Sequence, residues 1–337
     1  MDNVVLYTKE AYLPKETVAE FGIKSYELTG LSGMNTKTLN IKEAYPKIGL
    51  TSDPSIPCRL MLVEPLGLWG GDNINIPERI GKLSENPALK ILWTEEQQLL
   101  RMNIGDRENV FDIVERIACC NEYHLGMLSS LNLYRDTSKN PLPMDILYTP
   151  INANLYQPAE PKKPKIVAMG KICHEKNITG LISLFQALPD TFEKVFIGSH
   201  RMWNEPSTSE SAQLEHLLKG AVNRLVSYET REDVAKEISD AWGYVNVSIY
   251  DVGCLSFLEA ALSGCHCFAW DLHPMFDQYP VHRFTDYDDG ARVISNVFEE
   301  KGVCIAEELM RYVAERHSYP AFVSNLKKLS AEVLLDV

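Results

Sequence analysis

Residues 244–270 read YVNVSIYDVGCLSFLEAALSGCHCFAW, and this stretch decides the fold. Tyr244–Val247 is an apolar run of strand length, and Cys267–Trp270 is a second one. Between them Leu255–Leu262 is an apolar run of helical length that closes at Gly264, a residue type suited to the position after a helix end. Strand, helix and strand in this order make a crossover unit, which implies parallel neighbours in a sheet covered by helices.

The alternation extends upstream. Ile166–Met169, Lys194–Ile197 and Arg224–Val226 read as strands, with Thr179–Leu188, Ser211–Lys219 and Arg231–Ala241 as helices between them. Just before, Gln157–Lys165 reads QPAEPKKPK, and its three prolines and four charges mark a linker. The first half starts its own series, with strand-like Asn3–Tyr7, Arg59–Val63 and Lys90–Trp93 and a helical pattern with an early proline at Ile76–Leu83. Glu108–Ala118 is expected to be a further helix, with Val110, Ile113, Val114 and Ile117 on one stripe. Ala306–Leu335 is expected to be helical with a break at Pro320. The architecture expected is α/β: two Rossmann-like domains with parallel sheets facing across a cleft. They are expected to span residues 1–156 and 166–305, joined by a linker at 157–165 and followed by helices at 306–337.

A chain of 337 residues, 45% hydrophobic and 23% charged, has the composition of a folded protein with two cores of ordinary domain size. No apolar run is long enough to span a bilayer, so no membrane insertion is expected. The opening residues MDNVVLYTKEAYLPKE are too charged for a secretory signal, so a cytoplasmic location is expected. Net charge is −13 and no Lys/Arg run exceeds Lys162–Lys165, so charge does not indicate a nucleic-acid partner. The eight cysteines form no repeated C-x-x-C pairs and are expected to be buried free thiols. Cys265, His266 and Cys267 lack a second ligand pair, and adjacent strand residues face opposite ways, so no metal site is expected.

Doubly wound sheets bind ligands at the carboxyl ends of their strands. There the strand Ile166–Met169 runs into GKICHEKN at Gly170–Asn177, with two cations, Lys171 and Lys176, close to a helix start. Fixed positive charge at that place suits a diphosphate leaving group, although two lysines flanking a turn are also ordinary solvated side chains. After Tyr244–Val247 the chain brings Asp251, then Gly253, Cys254 and Leu255 at the start of the apolar helix. Their backbone N–H groups are the unsatisfied donors of a helix start and form an anion site. Glu259 follows Asp251 by eight positions, about two helical turns. One carboxylate can thus meet sugar hydroxyls while the other reaches a ribose diol. A capping Asp and a solvated Glu are the plainer alternatives.

These two segments together resemble the retaining glycosyltransferases of the GT-B fold, which carry G-R-x-x-x-x-K and E-x7-E with E-A-x-x-x-G. CFAWD at Cys267–Asp271 and YTPINANLYQP at Tyr148–Pro158 resemble the family's adjoining segments. The resemblance covers Tyr148 to Asp271. It implies transfer of a sugar from a nucleoside-diphosphate sugar to an acceptor hydroxyl with retention and without a metal or other cofactor. By it, Lys171 and Lys176 hold the diphosphate, Asp251 sits by the donor sugar, Gly253–Leu255 contact hydroxyls and phosphate, and Glu259 binds the ribose. Gly170 and Gly198 lie in donor-side loops, Tyr228 falls where the nucleobase goes, and His200 and Arg201 are further donor-side candidates. Asp251 stands where the family has Glu, and Lys171 where it has Arg, which removes a bidentate phosphate fork. The first half lacks the family's glycine-rich loop after its first strand, and Thr94, Glu95 and Glu96 stand where a His is usual. The acceptor, whether a saccharide, a lipid-linked sugar or a modified DNA base, is therefore not specified.

Glu95 and Glu96 could orient an acceptor, but such a pair is more often a solvated helix start. Trp69–Asp72 reads equally as a stacking loop or a surface turn. His124 is expected to be a satisfied structural histidine. Asp271, His273 and Asp277 follow a strand, with no chemistry assigned. Two other function classes fit the architecture: a nucleotide-sugar epimerase, and a non-catalytic nucleotide-sugar-binding protein.

Overall fold

The computed structural model of the chain describes residues 4–8, 33–68, 76–94, 99, 102–133, 140–198, 209–228, 230–300 and 304–335. The chain divides into two compact units. One holds the first strand, Lys37–Pro150 and the helix that starts at Tyr319; the other holds Ile151–Ser318.

The first unit is a six-stranded parallel sheet of β1 (Val4–Tyr7), β2 (Gly49–Thr51), β3 (Leu60–Val63), β4 (Leu89–Thr94), β5 (Arg116–Cys119) and β6 (Met144–Ile146), in the order β2-β1-β3-β4-β5-β6. Its longer helices among the described residues are α1 (Gly33–Ala44), α2 (Ile76–Glu85), α3 (Ile104–Asp112), α4 (Glu122–Leu133) and the last helix of the chain, α11 (Tyr319–Leu335). Alternate strand residues face opposite sides. Leu6, Leu62, Ile91, Trp93 and Ala118 pack against Phe322, Leu326 and Leu329 of α11. Tyr7, Met61, Val63, Leu92 and Ile117 pack against Ile80, Leu83, Val110 and Phe111 of α2 and α3. Each side chain so buried contributes about 1.5–3 kcal/mol relative to exposure.

The helix expected over Glu108–Ala118 is corrected here: α3 ends at Asp112, and residues 116–119 are the interior strand β5, paired on both sides. A parallel strand buried on both faces is apolar throughout, so Ile117 continued the helical stripe in sequence although its backbone is extended. The expected break at Pro320 falls at Ser318, since the proline lies in the first turn of α11, where its missing N–H is harmless.

The second unit has β7 (Lys163–Met169), β8 (Glu193–Ile197), β9 (Arg224–Val226), β10 (Ala241–Asn246), β11 (His266–Trp270) and β12 (His282–Phe284), all parallel, in the order β12-β11-β10-β7-β8-β9. Its helices are α5 (Ile178–Ala187), α6 (Ser209–Lys219), α7 (Arg231–Ser239), α8 (Leu255–Leu262), α9 (Tyr287–Glu300) and α10 (Cys304–His317). This is the doubly wound order in which direction reverses between the first and fourth strands, here β7 and β10. Gly264 closes α8 with φ +72, the left-handed cap that its sequence position suggests.

The segment expected as a linker packs on this unit. Lys162 donates from Nζ to the carbonyls of Ser239 and Ser263, clipping the ends of α7 and α8, and Tyr156 is buried. The division between units accordingly falls after Pro150, six residues before the expected boundary at 156, and α11 returns to the first unit.

Candidate active site

The reversal between β7 and β10 places two loops side by side at the carboxyl edge of the second sheet. After β7, a 3-10 turn spans His174–Lys176, and Asn177 follows in the left-handed region at φ 50. Asn177 Oδ1 caps α5 by accepting from Gly180 N at 3.2 Å. Its Nδ2 donates to Val247 O, beyond β10, at 3.1 Å, and to the Tyr287 hydroxyl at 2.9 Å. Ile249 N donates to Glu175 O at 3.0 Å, a second tie between the same loops. These ties set Lys176 facing Asp251, with Nζ 2.6 Å from Oδ2. Burial pulls the pKa of Lys176 down, but the Asp251 carboxylate beside it more than offsets this and holds it above the ordinary lysine value.

Gly170 and Gly198 end β7 and β8. A Cβ on Gly198 would lie 1.9 Å from the Gly170 carbonyl oxygen, so the two loops approach as closely as they do only because this position has no side chain.

Asp251 leads through Gly253 to α8, whose N-cap is Cys254 with no side-chain capping hydrogen bond. The start of this helix therefore keeps its backbone N–H donors uncapped by a side chain, as an anion site would need. The Cys254 thiol is turned inward: it takes a hydrogen bond from Asn246 Nδ2 at 3.2 Å and lies 3.4 Å from Ser256 Oγ, and burial pushes its pKa up to about 12. The sulfur is thus engaged inside the fold rather than at the helix start. Leu255 is half-buried at the first helical position.

Glu259 is buried in α8, and its Oε1 accepts from the Tyr156 hydroxyl at 2.8 Å. Burial raises its pKa to about 7, against the Tyr156 hydrogen bond and the Arg231 charge, which lower it. The solvated-face alternative is thus removed.

Lys176 and Asp251 are the expected site residues that meet directly. Lys171 is half-buried in the same loop and stands outside that ion pair. Tyr228 donates its hydroxyl to Glu237 at 2.6 Å, and Glu237 also pairs with Lys165 and Arg224. Lys165 and Arg224 sit at the starts of β7 and β9, so this hydroxyl is held by a polar cluster away from the Lys176–Asp251 pair. Glu95, Glu96, Trp69–Asp72, His200 and Arg201 lie outside the described residues.

His273, beyond β11, belongs near the site: burial lowers its pKa, while Asp251 raises it and Lys176 lowers it, so all three lie within electrostatic range. Its place is set by β11 lying next to β10, a neighbour relation that its position in the chain does not display. In the first unit a further polar group gathers at the strand ends. Lys37 is ion-paired with Glu64 in full burial and stands 4.2 Å over the Trp93 ring. His124 there is fully buried, as a structural histidine would be. Its Nδ1 is 3.6 Å from Cys120 Sγ, and burial lowers its pKa against a backbone hydrogen bond with Thr94.

The thiols of Cys265 and Cys267 point to backbone carbonyls. Among the described residues no group of three or more His, Cys, Asp or Glu side chains could hold a metal ion, and no helix is long and apolar enough to cross a membrane.

Residues 156–297, within the second unit, match the family model described as Glycosyl transferases group 1. No curated protein matches the sequence. Among solved structures, the chain resembles sucrose-phosphate synthase from Thermosynechococcus elongatus, with TM-score 0.74, 11% identity and 100% of each chain covered. It also resembles Anabaena HepE in complex with UDP and glucose, with TM-score 0.69 and 10% identity over 98% of this chain and 100% of that one. The pneumococcal O-GlcNAc transferase GtfA in complex with UDP and GlcNAc is similar with TM-score 0.60 and 13% identity, over 81% of this chain and 57% of that one. These likenesses carry the fold: two Rossmann-like units, each with a parallel sheet, as in GT-B proteins.

Proposed function

We propose that the protein transfers a sugar from a nucleoside-diphosphate sugar to an acceptor hydroxyl, with retention at the transferred carbon. The observation that carries this reading is the ion pair of Lys176 and Asp251, next to the uncapped start of α8 and at the strand reversal of a unit matching group 1 glycosyltransferases. Lys176 and Lys171 neutralise the charge that grows on the diphosphate as the bond to the sugar breaks. The N–H groups around Gly253–Leu255 hold phosphate and sugar oxygens, and Asp251, released from Lys176 by the incoming phosphate, orients the sugar. Glu259 receives the ribose. Counter-charge is assigned to the two lysines, so no divalent ion is required. The acceptor hydroxyl attacks from the side the diphosphate leaves, which retains configuration.

HepE binds UDP, UDP-glucose and glucose, which supports uridine sugars as the first donors to test. The test is a nucleotide-release assay with UDP-, GDP-, ADP- and CDP-sugars, each with and without saccharide acceptors. Release that rises with acceptor agrees with the proposal. Conversion of free donor to another sugar with no release contradicts it and favours an epimerase, and donor binding without turnover favours a non-catalytic binding protein.

A further inference from the structure

The Tyr156 hydroxyl comes from the segment that enters the second unit, 103 positions before its partner in the chain, and donates to Glu259 Oε1 at 2.8 Å. Both residues are buried, Tyr156 at 1% and Glu259 at 7% relative exposure. The second oxygen, Oε2, has no hydrogen-bond partner among the described residues, and it is not among the fully enclosed unsatisfied atoms. One oxygen is thus fixed inside the fold while the other, not fully enclosed, is left without a partner of its own. A carboxylate held this way is prepared to accept two O–H bonds from a vicinal diol, with little side-chain freedom left to lose.

We infer that Tyr156 is a positioning residue that makes Glu259 discriminate ribonucleoside from dideoxyribonucleoside donors. The inference rests on the transferase reading and adds the group that gives the ribose contact its geometry. A site built to hydrogen-bond hydroxyls rejects the analogue lacking them, because its buried acceptor is then left unpaired. The discrimination needs the carboxylate rather than the acid, since a protonated carboxyl gives up acceptor capacity. The groups that set this ionisation are Tyr156 itself and Arg231 at the start of α7, both of which favour the charged form against burial; Glu232 faces the tyrosine from the same turn. Removing the tyrosine hydroxyl withdraws one of those two supports and frees the side chain to turn.

The test is titration calorimetry of the full chain with UDP, GDP and ADP, followed by the 2′,3′-dideoxy form of whichever binds most tightly. Wild type and Tyr156→Phe are compared across a pH series, and melting temperature is recorded for each. Wild type should favour the ribo form by about tenfold or more. In Tyr156→Phe the preference should fall toward unity, and the pH midpoint of nucleotide binding should move upward. In turnover, the variant should raise the donor KM more than it lowers kcat. A purely structural role for the hydroxyl would lower the melting temperature and leave the ribo preference and the midpoint unchanged; that result overturns the inference while leaving the transferase reading standing. If wild type binds none of the three nucleotides, nor CDP, the transferase reading fails, and this inference with it.

Discussion

Lys176 Nζ lies 2.6 Å from Asp251 Oδ2, joining the loops that follow β7 and β10 at the point where the second sheet reverses its strand order. The two residues are 75 positions apart in the chain, so this contact is a product of topology. It also fixes a cation where a helix start already favours an anion.

Replacing Lys176 by Ala should lower kcat by about 100- to 1,000-fold, the usual loss when a donor to developing negative charge is removed. It also leaves Asp251, with 12% side-chain exposure, without its counter-charge. A stability loss of about 2 kcal/mol is expected from this. Steady-state kinetics with urea denaturation of the same variant separates the two effects.

Glu259→Ala should act differently. Donor affinity should fall about tenfold or more, with kcat for the saturated enzyme changed less. The buried Tyr156 hydroxyl also loses its acceptor. Initial-rate kinetics over a wide donor range checks the split.

Gly198→Ala should destabilise the second unit by about 2–4 kcal/mol, because its Cβ meets the Gly170 carbonyl, a backbone atom that cannot turn aside. The loop bearing Lys171 should shift with it. Denaturant unfolding and nucleotide titration should both respond; wild-type values in both would contradict the packing described.

Acid should weaken the fold. Burial holds His124 and His266 down at about 4 from 6.5, the His282 imidazole 3.3 Å away adding to the effect on His266. Folded imidazoles stay neutral where unfolded ones take up protons. Their contribution is thus complete above pH 6.5 and is lost as pH falls toward 4, at about 1.4 kcal/mol per pKa unit for each group. Glu259, raised from 4.5 to about 7, has the opposite sign: its contribution is complete below pH 4.5 and is lost as pH rises through 7. Urea midpoints should therefore fall from pH 6.5 to pH 4, and Glu259→Gln should make that fall steeper by removing the opposing group.

Much of the second unit was legible because each element keeps its own local signal. Leu255–Leu262 and Arg224–Val226 lie as their patterns indicate, and Gly264 ends its helix in the left-handed conformation. β5 was not legible, since a strand buried on both faces has no alternation to separate it from a buried helix. Of the candidate site, Lys176 and Asp251 could be named from motif spacing, but their contact could not, because it depends on β7 and β10 being neighbours. Tyr156 fell beside a proline-rich run that reads as a spacer, and its hydrogen bond to Glu259 has no signature in either local sequence. Tyr228 fell after the right strand, yet its hydroxyl is engaged by Glu237, a choice made by side-chain reach rather than by chain order.

The central claim is a diphosphate site between the ends of β7 and β10. The most direct measurement is a crystal structure of the protein grown with the nucleoside diphosphate that binds most tightly. The account predicts diphosphate density within hydrogen-bonding distance of Lys176 Nζ and the Gly253–Leu255 backbone, with the ribose at Glu259. A bound nucleotide elsewhere, with Lys176 still paired to Asp251 and no ligand at the start of α8, would contradict it.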